Sequence, residues 1–144
     1  MRWYLLRDEA LRTMEGDCLM SGSIYANMLN ELAADAHKNA VKHGFYQDFD
    51  DVAEYLFCND KADMTATVHR DFILAQLAKI ASEVGEAVAV IQHNEDMEGL
   101  NEELADITIR TMDLAAFLMF NHGDDVINKM KKNKERPLKH GKLC

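Results

Sequence analysis

Between about residue 63 and residue 121 the chain reads as two long amphipathic helices with a single break, "HNEDMEG". In the first of them Leu77, Ile80, Val84, Val88 and Ile91 recur at helical spacing and define an apolar arc. In the second, Leu100, Leu104, Ile107, Thr111, Leu114 and Leu118 do the same. So short a connection makes the two helices antiparallel neighbours. Ahead of them, Ser21 or Ser23 can cap a helix running to Lys42 and ended by Gly44. "FYQDFDD" breaks that pattern, and "VAEYLFC" offers a turn or two of helix. The later helices open at Asp63 or Thr65 and near Leu100, and a short fourth one is capped by Asp124 and ends before Pro137. No segment has the alternation of a strand. The expected fold is therefore all-α, an antiparallel four-helix bundle with a short fourth helix and oligomeric packing.

Size and composition narrow the class further. The 144 residues suit a single domain, 1–144, with an arm over 1–22 that has no clear pattern. The longest apolar run, "LAAFLMF", is too short to cross a bilayer. The opening "MRWYLLRDEA" lacks the apolar core of a secretory signal, and three cysteines without C-x-x-C spacing indicate neither disulfides nor zinc. A cytoplasmic protein with no membrane partner is expected. Net charge is −9, unevenly distributed. Residues 129–144 carry seven Lys/Arg against one Glu, leaving the rest at −15. An acidic body disfavours stable nucleic-acid binding, while the basic tail suits a polyphosphate, DNA or plain solvation.

Each long helix carries an acidic phrase, "EVGE" at Glu83 and Glu86 and "ELAD" at Glu103 and Asp106, along the edge of its apolar arc. Antiparallel packing lets the two phrases face each other across one seam. Surface acids on a helix are expected to have a cation four residues on. Only Asp106 has one, Arg110. Four carboxylates in a half-buried seam are costly unless something positive joins them. Oxygen ligands without His or Cys suit a hard cation, Mg²⁺ or Mn²⁺. A di-iron bundle needs Glu-x-x-His, and no histidine here has Glu three residues before it. An exposed acidic edge is the competing reading. Lys129, Asn133 and Arg136 lie at i, i+4 and i+7 and can supply a phosphate-holding half of a site, or simply complement a helix C-terminus.

These phrases, with "KMKKNKERPLKHGK" behind them and "NELAADAHKNAVKHGFY" in the first helix, resemble the MazG-like family of all-α nucleoside triphosphate pyrophosphohydrolases, within the dUTPase/dCTPase/MazG superfamily. The similarity covers about residues 24–142. It implies that Glu83, Glu86, Glu103 and Asp106 are catalytic and hold Mg²⁺. Water activated by metal and carboxylate would attack the α-phosphorus of a (d)NTP, giving (d)NMP and pyrophosphate. Lys129, Asn133 and Arg136 match the family's K-x-x-x-N-x-x-R phrase and would hold the β- and γ-phosphates, helped by Lys139 and Lys142. His37 and Tyr46 stand where dCTP-cleaving relatives line the base pocket, with a base stacked on Tyr46, although a first-helix His and a loop Tyr are more often packing residues. Some members have an acid where this chain has Ser82. Family members are homodimers or homotetramers, and the nine Met agree with a buried interface. Two alternatives stay open, a phosphoribosyl-ATP pyrophosphohydrolase and a noncatalytic helical interaction or DNA-binding protein.

Overall fold

The computed structural model describes residues 22–59, 61–93 and 97–137. They form five α-helices: α1 (Gly22–Lys42), α2 (Gln47–Cys58), α3 (Ala62–Gln92), α4 (Met97–Phe117) and α5 (His122–Lys134). The arm over 1–21 and the tail residues Lys139 and Lys142 lie outside the described residues. The all-α expectation holds for what is described, but the four-helix bundle does not. Residues 47–58, read from sequence as a break followed by a turn or two, make a full helix. Asp48 and Asp50 in its first turn complement the helix dipole. Its Phe49 ring meets Phe72 at 4.5 Å and Phe117 at 5.4 Å, and Leu56 is buried. The short basic helix is thus the fifth, not the fourth.

Helices α3 and α4 pack together, α1 lies across α4 and α5, and α2 covers α3. Ala26, Ala33 and Ala40, seven residues apart, form the buried stripe of α1. Small side chains there allow close approach. A Cβ at Gly123 would lie 2.1 Å from the Ala26 carbonyl oxygen, so that crossing requires glycine. The Gly123 N–H donates to Asn30 Oδ1 at 2.7 Å, so α1 caps α5, where Asp124 had been expected to do so. Helix α1 ends as expected at Gly44, whose φ is +79°. The Phe45 N–H reaches the Ala40 carbonyl and the Gly44 N–H reaches that of Val41, a Schellman closure. The same closure ends α4 earlier than expected, with Phe120 bonded to Ala115 and Met119 to Ala116.

Orientation of α3 is the largest surprise. Its inward seam runs Ile73, Gln76, Ile80, Glu83, Ala87 and Val90, of which Gln76, Glu83, Ala87 and Val90 are buried. Of the apolar arc read from sequence, Leu77, Val84, Val88 and Ile91 stand about half exposed in the single chain. On α4 the expected arc does turn inward, with Leu114 buried and only Leu104 well exposed.

Candidate metal and nucleotide site

The two acidic phrases meet where α3 and α4 pack. One carboxylate oxygen from each of Glu83, Glu103 and Asp106 lies within 4.8 Å of the other two. Glu83 is 7% exposed, Glu103 is half-buried and Asp106 is exposed. Glu86 lies outside this trio on the exposed side, with Ser82 Oγ at 3.5 Å from its Oε1, the limit of a hydrogen bond. Its charge still reaches the cluster. Lost hydration pushes the Glu103 carboxyl above the ordinary carboxylate range, and Glu86, Glu83, Asp106 and Glu102 push it further in that order. Four like charges therefore converge on one helix seam.

Arg110 is the only cation bonded to this group among the described residues. Sequence pairs it with Asp106, one turn before it. In the structure its Nε donates across the seam to Glu83 Oε1 at 2.5 Å. One buried carboxylate is balanced, while Glu103 and Asp106 keep open oxygens. The donor set is all oxygen and negatively charged, as Mg²⁺ or Mn²⁺ requires. Two oxygens on one Mg²⁺ at about 2.1 Å can stand at most about 4.2 Å apart. The trio needs only a small adjustment to fit, so Glu83, Glu103 and Asp106 can hold a divalent ion.

Beside the acids lies a cavity of about 170 Å³ between α1, α3 and α4. Asp106 and Arg110 form one part of its wall, Asp113 another, and Asn39, Gln76 and Lys79 complete the polar lining. His37 and Tyr46 line none of it. They stand behind Asp113, whose Oδ1 accepts the Tyr46 hydroxyl at 2.7 Å and lies 2.8 Å from His37 Nδ1. Tyr46 is 3% exposed, and its ring meets His37 at 4.7 Å, Phe117 at 5.1 Å and Phe72 at 5.4 Å. Burial, then the bond to Asp113 and its charge, hold the phenol proton far more tightly than usual. Tyr46 is a fixed neutral donor whose ring is occupied by the protein.

Lys129, Asn133 and Arg136 are exposed and line no part of the cavity beside the acids. Lys129 borders a separate groove along α5 with His122, Asp125 and Met130, and α5 packs on α1 and α4, sharing no substantial seam with α3. Sequence reasoning missed Gln76 and the wall position of Asp113. A usable signal exists for the first, since Gln76 lies seven residues before Glu83 and so shares its face.

No helix among the described residues is long and apolar enough to cross a membrane. No curated protein and no solved structure matches the chain. Residues 73–139, most of α3 with all of α4 and α5, match the model of the MazG nucleotide pyrophosphohydrolase domain. That match places the segment, which carries both acidic phrases, in the MazG-like superfamily.

Proposed function

We propose that this chain is a Mg²⁺-dependent pyrophosphohydrolase that cleaves a (deoxy)nucleoside triphosphate between its α- and β-phosphates. The observation carrying the reading is the trio of Glu83, Glu103 and Asp106, drawn from two helices and left short of positive charge. When bound, the ion would neutralise phosphate oxygens and make water more acidic. Glu83, Glu103 and Asp106 hold it, and Arg110 keeps Glu83 aimed along the seam through its hydrogen bond. Glu86, outside the trio and free of any cation partner among the described residues, is assigned in this proposal to orient the attacking water or take its proton. The α–β anhydride bond breaks, releasing a nucleoside monophosphate and pyrophosphate.

Lys129, Asn133 and Arg136 hold the β- and γ-phosphates in this reading. Because the single chain keeps them out of the acidic cavity, a second copy has to bring them there. The outward face of α3 supplies a reason for one. Leu74, Leu77, Ala81, Val84, Val88 and Ile91 are spaced alternately three and four residues apart and all exposed. That is the seam spacing of paired helices. Burying what each large side chain still exposes contributes roughly 1 kcal/mol apiece. A homo-oligomer, a homodimer at least, is thus part of the proposal, in the cytosol where nucleotides and Mg²⁺ meet.

Product analysis with a nucleotide panel and Mg²⁺ tests the reaction. Nucleoside monophosphate and pyrophosphate are the expected products, and Glu86→Ala should lower kcat on the order of a thousandfold with helical content unchanged. Release of inorganic phosphate and a diphosphate would overturn the reaction. Pyrophosphate from phosphoribosyl-ATP alone would reassign the substrate. Duplex-DNA binding without any hydrolysis would favour a noncatalytic role.

A further inference from the structure

The cavity between α1, α3 and α4 contains one buried group that neither the acid cluster nor the packing uses. Gln76 is 9% exposed, lines the cavity wall, and has no side-chain hydrogen bond among the described residues. Among the described residues, no fully sealed side-chain nitrogen or oxygen lacks a partner. The residual access of the Gln76 amide is therefore to the cavity itself. With no protein partner, that amide can bond only to what occupies the cavity. A leucine or methionine there would fill the seam with no polar group to satisfy, as Ile73 and Ile80 do one turn to either side. The amide is instead poised for something that enters.

Shape and chemistry limit what that is. A cavity of roughly 150 Å³ takes one benzene-sized ring, and this one is about 170 Å³. A single six-membered ring fills that volume, whereas a fused bicycle has to reach out through the cavity's open side. The Gln76 amide offers a donor and an acceptor side by side. It matches a ring edge that presents an acceptor next to a donor, as both kinds of pyrimidine base do. Asp113, fixed by His37 and Tyr46 through Oδ1, adds a carboxylate to the same wall. Asp106 and Arg110 connect this cavity to the acid trio, so a ring here has its phosphates on the metal side.

We propose that Gln76 reads the substrate base, its amide bonding the edge of a pyrimidine ring seated between α1, α3 and α4. The assignment rests on the nucleotide-cleaving reading above, and its test separates the two. Steady-state kinetics with Mg²⁺ on the full chain would compare dCTP, dUTP, dATP, dGTP and base-free tripolyphosphate. Wild type should favour the pyrimidines at least tenfold in kcat/KM. Gln76→Met, of similar volume, should raise KM for pyrimidine nucleotides roughly tenfold to a hundredfold with kcat nearly unchanged. Its activity on purines and tripolyphosphate should stay as in wild type. Its Tm without nucleotide should equal or exceed that of wild type, because an unpaired buried amide has gone. Gln76→Leu repeats the test should the methionine variant misfold.

Unchanged KM for pyrimidines in both variants would overturn the assignment, as would a wild-type preference for purines, and either result leaves the hydrolase reading intact. Should no triphosphate be cleaved at all, that reading fails on its own. Calorimetry with cytidine and uridine then decides the cavity. Saturable binding lost in Gln76→Met supports a base site, and no binding to wild type overturns it.

Discussion

The two faces of α3 differ in a way opposite to ordinary amphipathic logic. Ile73, Gln76, Ile80, Glu83, Ala87 and Val90 face inward, and Leu74, Leu77, Ala81, Val84, Val88 and Ile91 face outward. The two seams are the same pattern shifted by one residue. The inward one contains an amide and a carboxylate, while the outward one is wholly apolar. A chain that kept only its own core in view would be more stable turned the other way. Burying Gln76 and Glu83 makes sense if the inner seam serves a ligand and the outer seam meets another copy.

Breaking the outer seam should have the largest effect on assembly. Leu77 and Ile91 are 49% and 52% exposed, so Lys at both positions costs the single chain little. Leu77→Lys with Ile91→Lys should weaken self-association at least about a hundredfold by setting charge into a packed interface. Sedimentation velocity across a dilution series reads this, with circular dichroism confirming the helices. An association constant that does not move would show that the outer face of α3 is not where copies meet.

The inner seam is tested by removing its one cation. Glu83 keeps 9% of its side chain exposed, whereas Arg110 keeps 41%. Truncating one member of a fully buried pair costs about 3–5 kcal/mol. Water around the guanidinium reduces the expected loss for Arg110→Met to about 2 kcal/mol. Thermal melts in EDTA should show it clearly, and Mg²⁺ should recover part of it by balancing Glu83 in place of the guanidinium. Equal stabilities of variant and wild type in EDTA would mean that Glu83 does not depend on Arg110.

This contrast also explains what could be read from the residues alone. Helices α1, α3 and α4 were legible because periodicity and stop signals such as Gly44 agreed, and the Schellman closure there is a local event. The four acids were legible as a group because their spacing repeats and their expected cations are missing. Helix α2 was not, since Phe49 and Leu56 gain their value only against Phe72 and Phe117 from distant parts of the chain. The outward turn of α3 was hidden for a sharper reason. Hydrophobicity selects the more apolar of two adjacent seams, and only the interlocking of Glu83 with Arg110 reveals that the other one is inside. For α5 the cap comes from Asn30 on α1, which no local signal announces.

The subtlest prediction concerns the charge left over on the inner seam. Glu103 has its carboxyl raised by lost hydration and then by its acidic neighbours, Glu86 foremost. Above its folded value it is ionised in both states, and only the folded chain bears the crowding. As pH falls through that value the folded chain takes up a proton that the unfolded chain does not yet hold, and the penalty disappears. Below the unfolded value, about 4.3 for an ordinary glutamate, both states are protonated and the relief is complete. Glu103→Gln should accordingly raise Tm slightly in EDTA at neutral pH, with the gap to wild type closing as pH falls toward about 4. Added Mg²⁺ should reverse the order, because wild type gains a ligand oxygen that the amide supplies poorly. A gap that is absent at neutral pH, or that widens on acidification, would mean that the four acids do not share one field, and the inner seam would lose its claim to a cation.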